Sequence, residues 1–472
     1  MTPDSESRAA AGAGPRAGDS PSLLLDLYEL TMAHAYWFQG MADLPATFSL
    51  FSRSLPPRRG YLVAAGLEDC LTWLEGLRFG PVELGALESL GLFPGPFLAW
   101  LEGLRFRGSV RAVAEGTLLF AGEPMLEVDA PLAVAQMAET FLLNQVTMQT
   151  TLATKASRCR EAAQGRPVAE FGLRHAQGLD AGMKVARVCR IVGIPATSNV
   201  AGALRYGLEV SGTMAHSFVQ AHPNEVTALR HLAQVMGEHT VLLVDTYDTR
   251  RGVEAAVEVA LEMKAQGVSI AGVRLDSGDL ADLSRWARRA LDAAGLPEVK
   301  VVATGGLDEY QIRDLVSGDD PAPIDSFGVG SAMVVSADAP LTDTVYKLVS
   351  CGGRSVRKTS TGKSTLPGPK QVWRSRQFDH DVLALDGEAA PGADYEGLLE
   401  LVMQDGERTE AGRRSLADSA RRYRDQIRLL PAPLHDLDHP APAPVTLSPG
   451  LRELVEEMDR ATAQALEQPS GR

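Results

Sequence analysis

Cysteine is scarce in this sequence of 472 residues, and long apolar runs are missing. The four cysteines, Cys70, Cys159, Cys189 and Cys351, are widely spaced and form no Cys-x-x-Cys pair. This spacing excludes a zinc ribbon and a disulfide framework, and it predicts reduced thiols in a cytoplasmic protein. No apolar run approaches the ~20 residues of a membrane span. Residues 1–21 lack the apolar core of a signal peptide, and their composition predicts a disordered arm.

An excess of positive charge is also missing, because the formal net charge is −14. A general nucleic-acid binder needs a basic face and is therefore excluded. A small anion can still bind in a local basic pocket of an acidic protein. The length suits two or three domains with buried cores. We therefore expect a globular protein that handles small molecules.

Apolar strands alternate with helices in the middle of the chain, which predicts a parallel sheet covered by helices. No Gly-x-Gly-x-x-Gly follows any of these strands, so an irregular (β/α) TIM-like barrel is favoured over a doubly wound dinucleotide-binding sheet. The predicted strands are Pro167–Phe171, Gly193–Ser198, a short strand before His216, Thr240–Tyr247, Val268–Asp276, Val299–Gly305 and Ile324–Gly330. The predicted helices are Ala176–Val192, Asn224–Met236, Gly252–Gln266, Leu280–Ala294 and Asp308–Leu315.

The domain organisation follows from where this alternation begins and ends. We predict the barrel over residues 131–350 and a smaller α+β domain over residues 22–130. Residues 351–472 are predicted to pack back on the smaller domain. Within them, Pro431–Pro449 resembles a linker or surface-wrapping segment, and Leu451–Leu466 predicts a charged helix.

Polar residues stand at the C-terminal ends of the predicted strands, where (β/α) barrels carry their chemistry. We expect these strand ends to meet at one mouth. An aldolase-like barrel is disfavoured because they include no lysine and a single histidine. The strand ends are Glu170–Arg174, Thr197–Asn199, Thr213 with His216, Asp245–Asp248, Arg274–Asp279, Thr304–Gly306 and Gly328–Ser331.

The histidine of this set lies in the segment Ser211–Phe218, where we predict it to follow a short strand. Such a histidine can accept a phosphoryl group, act as a general base or bind a metal ion. The segment alone does not separate these roles for His216.

Two glycine-containing strand ends, Thr304-Gly305-Gly306 and Gly328-Val329-Gly330-Ser331, indicate a phosphorylated substrate. Barrels often bind phosphate through backbone N–H groups at their last two strands, and glycine lets the main chain approach closely. The alternative is that these glycines only close tight loops.

Carboxylates are dense beside this predicted phosphate site. Asp245, Asp248, Asp276 and Asp279 form two Asp-x-x-Asp sets on adjacent strand ends. They suit Mg²⁺ that bridges a diphosphate, or they could stabilise a cationic transition state. Asp279 and Asp308 also stand where helix N-caps are expected. Asp245 and Asp276 are therefore the preferred functional candidates.

Two arginines, Arg174 and Arg274, are placed where a substrate carboxylate or phosphate could be bound bidentately. Salt bridges with the nearby aspartates are the alternative. Phe171 and Tyr28 could supply an aromatic stacking wall, although aromatic residues near strand ends more often belong to the core.

These residues together resemble the nicotinate phosphoribosyltransferase family. The matching motifs occur in the expected order along most of the chain. They are Leu25–Met32, Arg59–Glu68, Glu170–Arg174, Thr197–Val200, Gly212–His216, Asp245–Asp248, Arg274–Gly278, Phe327–Gly330 and Tyr346–Val349.

The resemblance implies that nicotinate and phosphoribosyl pyrophosphate react to nicotinate mononucleotide and pyrophosphate, with Mg²⁺ present and ATP hydrolysis coupled through a phosphohistidine at His216. Asp245 and Asp276 match acidic positions near the ribose and the Mg²⁺-diphosphate. It also implies a homodimer with a shared active site, into which Tyr28 reaches from the neighbouring subunit. The positions that match the pyridine and carboxylate site are Tyr28, Phe171, Arg174, Thr213 and Arg274, with Ser198 beside them. The positions that match the 5′-phosphate site are Thr304, Gly305, Gly306, Gly328 and Gly330, followed by Ser331.

Two positions depart from the family pattern. Ala196 stands in place of a glycine, which is a conservative loss of flexibility. His175 stands where many relatives carry a second arginine, which predicts weaker anion binding at the entrance. Nicotinamide is the nearest alternative substrate, but Ser198 places no carboxylate there to accept an amide N–H. Quinolinate would require a more basic pocket. A catalytically silent binding protein on the same scaffold is the alternative from another class.

Overall fold

The computed structural model of the protein describes residues 20–360 and 362–467. The predicted N-terminal arm, residues 1–21, therefore lies outside the described residues except for Ser20 and Pro21. Within the described ranges, no helix combines the length and the apolar character needed to cross a membrane.

The N-terminal part mixes helices with antiparallel strands. The first α-helix begins at Leu27, after a separate 3-10 turn at Pro21–Leu23. Its first turn is held by the Glu29 carboxylate, which accepts a hydrogen bond from the Asp26 backbone at 3.0 Å. The elements are α1 (Leu27–Phe38), β1 (Pro45–Ser52), β2 (Leu62–Val63), α2 (Leu67–Gly76), α3 (Pro81–Ser89), α4 (Gly95–Glu102), β3 (Ser109–Val113), β4 (Leu118–Leu119), β5 (Pro124–Pro131), α5 (Leu132–Met137) and α6 (Glu139–Ala162).

The middle of the chain alternates strands and helices as the sequence predicts. Its strands are short, and except for the exposed strand β8 (Glu209–Val210) they are largely buried, as expected for a parallel sheet covered by helices. The elements are β6 (Val168–Glu170), α7 (Leu179–Ile191), β7 (Ala196–Thr197), α8 (Val200–Tyr206), β8 (Glu209–Val210), α9 (His216–Gln220), α10 (Glu225–Met236), β9 (Val241–Leu243), α11 (Thr249–Ala265), β10 (Gly272–Leu275), α12 (Leu280–Ala293), β11 (Lys300–Ala303), α13 (Glu309–Val316), β12 (Ser326–Val329) and α14 (Ser331–Val335).

These strands form one parallel sheet in the order β8-β7-β6-β12-β11-β10-β9. The predicted parallel α/β architecture is confirmed. The sheet is a curled half-barrel, and its end strands β8 and β9 do not pair with each other in the described part of the chain. All strands run in the same direction, so their C-terminal ends share one edge of the sheet.

The C-terminal part returns to the antiparallel sheet of the N-terminal part. In that sheet, the N-terminal strands β1, β5 and β3 lie side by side in the middle, with β13 (Thr344–Cys351) and β14 (Arg354–Ser355) on one side and β18 (Leu399–Gln404) and β19 (Glu407–Arg408) on the other. The segment Pro431–Pro449 contains β20, which pairs in parallel with β16. The elements are β13 (Thr344–Cys351), β14 (Arg354–Ser355), β15 (Lys370–Ser375), β16 (Asp381–Leu385), β17 (Tyr395–Gly397), β18 (Leu399–Gln404), β19 (Glu407–Arg408), α15 (Leu416–Leu429), α16 (Ala432–His435), β20 (Val445–Leu447) and α17 (Pro449–Glu467).

Candidate active site

A cavity of about 640 Å³ opens at the C-terminal edge of the parallel sheet. Loops that follow β6, β7, β8, β10, β11 and β12 line it, as the convergence of strand ends predicts. His175, at the position that departs from the family pattern, lines it as well. The predicted site residues that line this cavity are Phe171, Arg174, Ser198, Thr213, His216, Arg274, Asp276, Thr304, Gly305, Gly306, Gly328, Gly330 and Ser331.

Arg274 is a partly buried cation at the wall of this cavity. One terminal nitrogen of its guanidinium donates to Thr213 Oγ1 at 2.6 Å and to the Met214 carbonyl at 3.3 Å. The other terminal nitrogen lies 3.6 Å from Asp276 Oδ1. Its Nε is buried and has no hydrogen-bond partner among the described residues. Burial lowers the pKa of Arg274, and the Asp276 charge offsets part of that effect, so a bound anion would stabilise this cation.

The two preferred aspartates, Asp245 and Asp276, lie side by side. Asp245 Oδ2 accepts hydrogen bonds from the Asp276 backbone N–H at 3.2 Å and from Ser277 Oγ at 2.5 Å. Asp276 Oδ1 accepts a hydrogen bond from the Thr304 hydroxyl. Asp245 is not among the residues that line the cavity, and it supports the loop that carries Asp276. Its Oδ1 is buried without a hydrogen-bond partner in the described part of the protein.

Asp248, Asp279 and Asp308 are helix N-caps. Their carboxylates accept backbone hydrogen bonds from Arg251, from Asp282, and from Tyr310 and Gln311, respectively. The N-cap prediction made for Asp279 and Asp308 is therefore confirmed.

His216 is the first residue of the five-residue helix α9. The prediction that it directly follows a strand is wrong, because β8 ends at Val210 and Ser211–Ala215 form a loop. The His216 ring is 42% exposed. Its Nδ1 lies 3.1 Å from Thr246 Oγ1, and its Nε2 lies 3.8 Å from Asp276 Oδ2. The ring therefore stands between a hydroxyl and a carboxylate at the cavity wall.

Gly305 and Gly328 are required by close approaches within the site. Gly305 has a φ of +90°, and a side chain there would overlap the Asp276 carbonyl oxygen. A Cβ at Gly328 would lie 2.6 Å from the Phe171 ring and from the Thr304 methyl group. The first glycine lets the two loops touch, and the second makes room for the aromatic ring.

Glu170, at the end of β6, has a structural role that the sequence analysis did not assign. It is 1% exposed, and it accepts hydrogen bonds from the Thr197 hydroxyl at 2.5 Å and from the Gly172 backbone. Burial raises the pKa of this carboxyl group. Glu170 thereby joins the strand end that carries Phe171 to the one that carries Ser198. Its strand-end position was visible in the sequence, but its burial was not.

Tyr28 lies apart from these residues. It is on α1, is 43% exposed, and is not among the residues that line the cavity. Its neighbours are acidic groups of its own region, including Glu139 and Glu29; burial, followed by these charges, raises its pKa to about 12. Within a single chain, as far as the structure describes it, Tyr28 therefore does not reach the predicted site.

Two family models match this chain. The nicotinate phosphoribosyltransferase (NAPRTase) N-terminal domain matches residues 23–147, and the nicotinate phosphoribosyltransferase (NAPRTase) family matches residues 167–367. A nicotinate phosphoribosyltransferase of Mycobacterium tuberculosis is 45% identical over 421 residues, which cover 88% of this chain and 89% of the relative. One of Bacillus subtilis is 43% identical over 382 residues, which cover 78% of this chain and 77% of the relative.

Solved structures show the same likeness. The crystal structure of human nicotinic acid phosphoribosyltransferase matches with a TM-score of 0.82 and 30% identity, over 92% of this chain and 100% of that one. Nicotinate-nucleotide pyrophosphorylase from Pyrococcus furiosus matches with a TM-score of 0.71 and 25% identity, over 87% and 96% of the two chains. The chain is an enzyme that belongs to the nicotinate phosphoribosyltransferase family.

Proposed function

We propose that this enzyme transfers the phosphoribosyl group of phosphoribosyl pyrophosphate to the ring nitrogen of nicotinate, the first step of NAD salvage from nicotinate. The products are nicotinate mononucleotide and pyrophosphate. The observation that carries the proposal is one cavity with a cation at one wall and paired glycine loops at another. Arg274, with an unpartnered buried N–H, suits the carboxylate, and the loops at Gly305 and Gly330 suit the phosphate.

The nicotinate end is proposed to lie against Phe171, with its carboxylate bound by Arg274 and Thr213. Arg174 is exposed in the 3-10 turn that follows β6, where it can attract the anion at the entrance. Ser198 lines the cavity without adding a negative charge. A neutral amide would bring no negative charge to the partly buried Arg274 guanidinium, whose Nε has no hydrogen-bond partner among the described residues, and this favours nicotinate over nicotinamide.

The phosphoribosyl end is proposed to lie on Thr304, Gly305 and Gly306, and on Gly328, Gly330 and Ser331. The pyridine nitrogen is already a nucleophile, so the transfer needs no strong general base. As the bond to pyrophosphate breaks, positive charge develops on the ribose. The Asp276 carboxylate is placed to stabilise that charge, and Asp245 holds the backbone of Asp276 in place.

The residues of the cavity suit a magnesium ion that would be bound mainly by the diphosphate of the substrate and only in part by the protein. No group of three or more His, Cys, Asp or Glu suited to a metal ion occurs in the described residues. Mg²⁺ commonly uses one or two carboxylates together with phosphate oxygens; Asp276, which lines the cavity, would supply one, and Asp245 stands directly behind it. The ion would neutralise charge on the diphosphate leaving group.

His216 is proposed to couple ATP hydrolysis to the transfer. Its Nδ1 faces Thr246, so Nε2 is the nitrogen proposed to attack the γ-phosphorus of ATP. The phosphoryl group is transferred to Nε2, and ADP leaves. Water later takes this group from the ring as inorganic phosphate. Phosphorylation would bring about −1.5 to −2 charges next to the diphosphate site. This charge is proposed to reorganise the site and lower the Michaelis constants.

The architecture proposed for this function is a homodimer of two-domain subunits. The half-barrel sheet is proposed to be the core of an irregular (β/α) barrel over residues 131–350. Residues 22–130 and 351–472 are proposed to form the smaller α+β domain, which is supported by the antiparallel sheet that they share. Tyr28 is proposed to complete the active site of the neighbouring subunit, which is supported by its absence from the lining of the cavity of its own chain.

The experiment that tests this function measures mononucleotide and ADP formation from phosphoribosyl pyrophosphate, Mg²⁺ and either nicotinate or nicotinamide, with and without ATP. We expect product from nicotinate with a kcat/KM at least about 100-fold above that for nicotinamide. The His216→Asn variant should keep ATP-independent transfer and lose ADP formation. A preference for nicotinamide would overturn the substrate, and ATP coupling in the variant would overturn the phosphohistidine.

A further inference from the structure

A cluster of five charged side chains, four of them buried, links the two proposed phosphate loops to helix α6. We propose that this cluster is a positioning device that sets the distance between the loop Thr304–Gly306 and the loop Gly328–Ser331, and thereby the affinity for the phosphoribosyl end of the substrate. The inference rests on the proposed function. The members of the cluster are Arg59, Lys155, Arg158, Glu309 and Asp338.

The first loop is anchored through Glu309. This residue opens helix α13, which follows Thr304–Gly306 almost directly, and its side chain is fully buried. Its carboxylate accepts from Arg158 Nε at 2.8 Å and forms an ion pair with Lys155. Arg158 also donates to the Tyr310 hydroxyl at 3.0 Å. The start of α13 is therefore tied to α6 by two cations.

The second loop is anchored through Asp338. This residue follows α14, the helix that begins at Ser331. Its carboxylate pairs with Lys155 Nζ at 2.7 Å and with Arg59 at 2.9 Å. Partial burial would raise its pKa, but the hydrogen bond from Lys155 and the charge of Arg59 hold its pKa at about 2. Asp338 is therefore ionised at any working pH.

Lys155 is the residue that joins the two anchors. Its ammonium group contacts both Glu309 and Asp338, so one buried cation holds the segments that follow both loops. Arg59 repeats this bridge from the N-terminal segment, at 2.9 Å from Asp338 and 3.8 Å from Glu309. The side chains of both cations are 2% exposed, so neither can turn to solvent without opening the structure.

A gain in folding stability does not explain why these charged side chains are clustered. Buried ion pairs often contribute no more stability than apolar side chains of the same size, because the charges lose their hydration. What they do fix is geometry, since each charge must keep its partners. Three cations and two carboxylates also leave the cluster with one excess positive charge. This charge attracts a phosphate, so positioning and simple attraction are two effects that the test must separate.

Asp338 separates them because it is the most exposed member of the cluster, at 33%, and a change there alters the charge and the second anchor in ways that predict opposite effects on binding. The Asp338→Asn variant makes the cluster more positive and loosens the second anchor. If the cluster positions the loop, binding of ribose 5-phosphate, measured by titration calorimetry, weakens about tenfold. If the cluster acts only by charge, the same variant binds as tightly as the wild type or more tightly, which would overturn the proposal.

Two further variants complete the design. Asp338→Glu keeps the charge and shifts the carboxylate by one methylene, so a positioning role predicts weaker binding of ribose 5-phosphate by this variant too. If Asp338→Asn does not fold, the affinity of Asp338→Glu relative to the wild type tests the proposal in its place. Asp343→Asn is the matched control, because Asp343 is 52% exposed and, among the residues that the structure describes, forms an ion pair only with Arg53, at 3.7 Å. Its binding should match the wild type.

Steady-state kinetics give the second readout. For Asp338→Asn, the KM for phosphoribosyl pyrophosphate should rise about tenfold while the KM for nicotinate stays within about twofold. An equal rise of both constants would indicate general damage and overturn the positioning role. A wild-type protein that binds no ribose 5-phosphate would overturn the proposed phosphate site itself. Normal wild-type binding with an unchanged Asp338→Asn variant would overturn this inference alone.

Discussion

Asp276 is the residue at which most interactions of the candidate site meet. It contacts Thr304 of the first phosphate loop, and it faces both Arg274 and His216. One carboxylate therefore adjoins the proposed nicotinate, phosphate and phosphohistidine positions. A change at Asp276 should affect the chemical step more than folding, because its own side chain is partly exposed.

We expect Asp276→Asn to lower kcat by about 100- to 1,000-fold, since the amide no longer stabilises the positive charge of the ribose. Steady-state mononucleotide formation measures this. Asp279→Asn is the matched control, because Asp279 caps α12 and asparagine caps as well as aspartate. Equal activity losses in the two variants would contradict the assignment of Asp276.

Glu29 gives a pH-dependent prediction at the same scale. Its carboxylate is fully buried and accepts backbone hydrogen bonds from Asp26 and Thr140. Burial raises its pKa from 4.5 to about 7. The folded state therefore binds more protons than the unfolded state between these values, and the contribution of Glu29 to stability is lost as the pH rises from about 4.5 to about 7.

The Glu29→Gln variant should lack this loss. We expect the free energy of unfolding of the wild type to fall by about 3 kcal/mol relative to the variant over that pH range. Urea unfolding at several pH values measures the difference. Glu88→Gln, at an exposed position, should run parallel to the wild type. A constant difference between Glu29→Gln and the wild type would refute the prediction.

At the scale of elements, the loop that follows β11 depends on a backbone that only glycine adopts without strain. Gly305→Ala should raise the KM for phosphoribosyl pyrophosphate about tenfold or more, because the methyl group overlaps the Asp276 carbonyl and pushes the two loops apart. Gly318→Ala is the control: its φ of +92° gives similar strain, but a methyl group there meets no atom within 4 Å. The control should cost about 1 kcal/mol of stability and keep its activity. Equal KM values in the two variants would count against the loop contact.

The sequence predicted the parallel strands and their helices well, because buried parallel strands are short apolar runs bounded by polar residues. Val273, Leu275, Val301 and Val329 show this burial. The α9 helix was missed because β8 is only Glu209–Val210, both exposed, and carries no apolar signal that marks where the strand ends.

The parts of the site that the sequence could not predict depend on contacts between distant segments. Asp245 and Asp276 were expected to be equivalent, yet Asp245 lies behind Ser277 and supports the loop. Glu170 was visible only as a strand end. The bridge from Lys155 to Asp338 joins residues 183 positions apart, and no local pattern encodes it.

At the scale of the whole molecule, the two ends of the chain are joined in one sheet, since β13 pairs with β1 and β18 pairs with β3. Tyr28, on α1, does not line the cavity at the edge of the other, parallel sheet. If Tyr28 serves the neighbouring subunit, a complete site needs residues from two chains.

A subunit-mixing experiment tests this arrangement. Tyr28→Ala and Asp276→Asn should each be weakly active alone. Dimers that contain one copy of each variant hold one site in which both residues are wild type. Equal co-expression should therefore restore roughly a quarter of the wild-type activity. No recovery above the sum of the two separate variants would show that each chain uses its own Tyr28.

Nicotinate mononucleotide is proposed to form in the cavity at the C-terminal edge of the parallel sheet. A crystal structure of the protein with this product bound would show where the reaction takes place. We predict the pyridine ring against Phe171, its carboxylate on Arg274, and its phosphate on the backbone N–H groups near Gly306 and Gly330. A mononucleotide bound elsewhere, such as in the second cavity beside Arg414 and Arg422, would contradict the account.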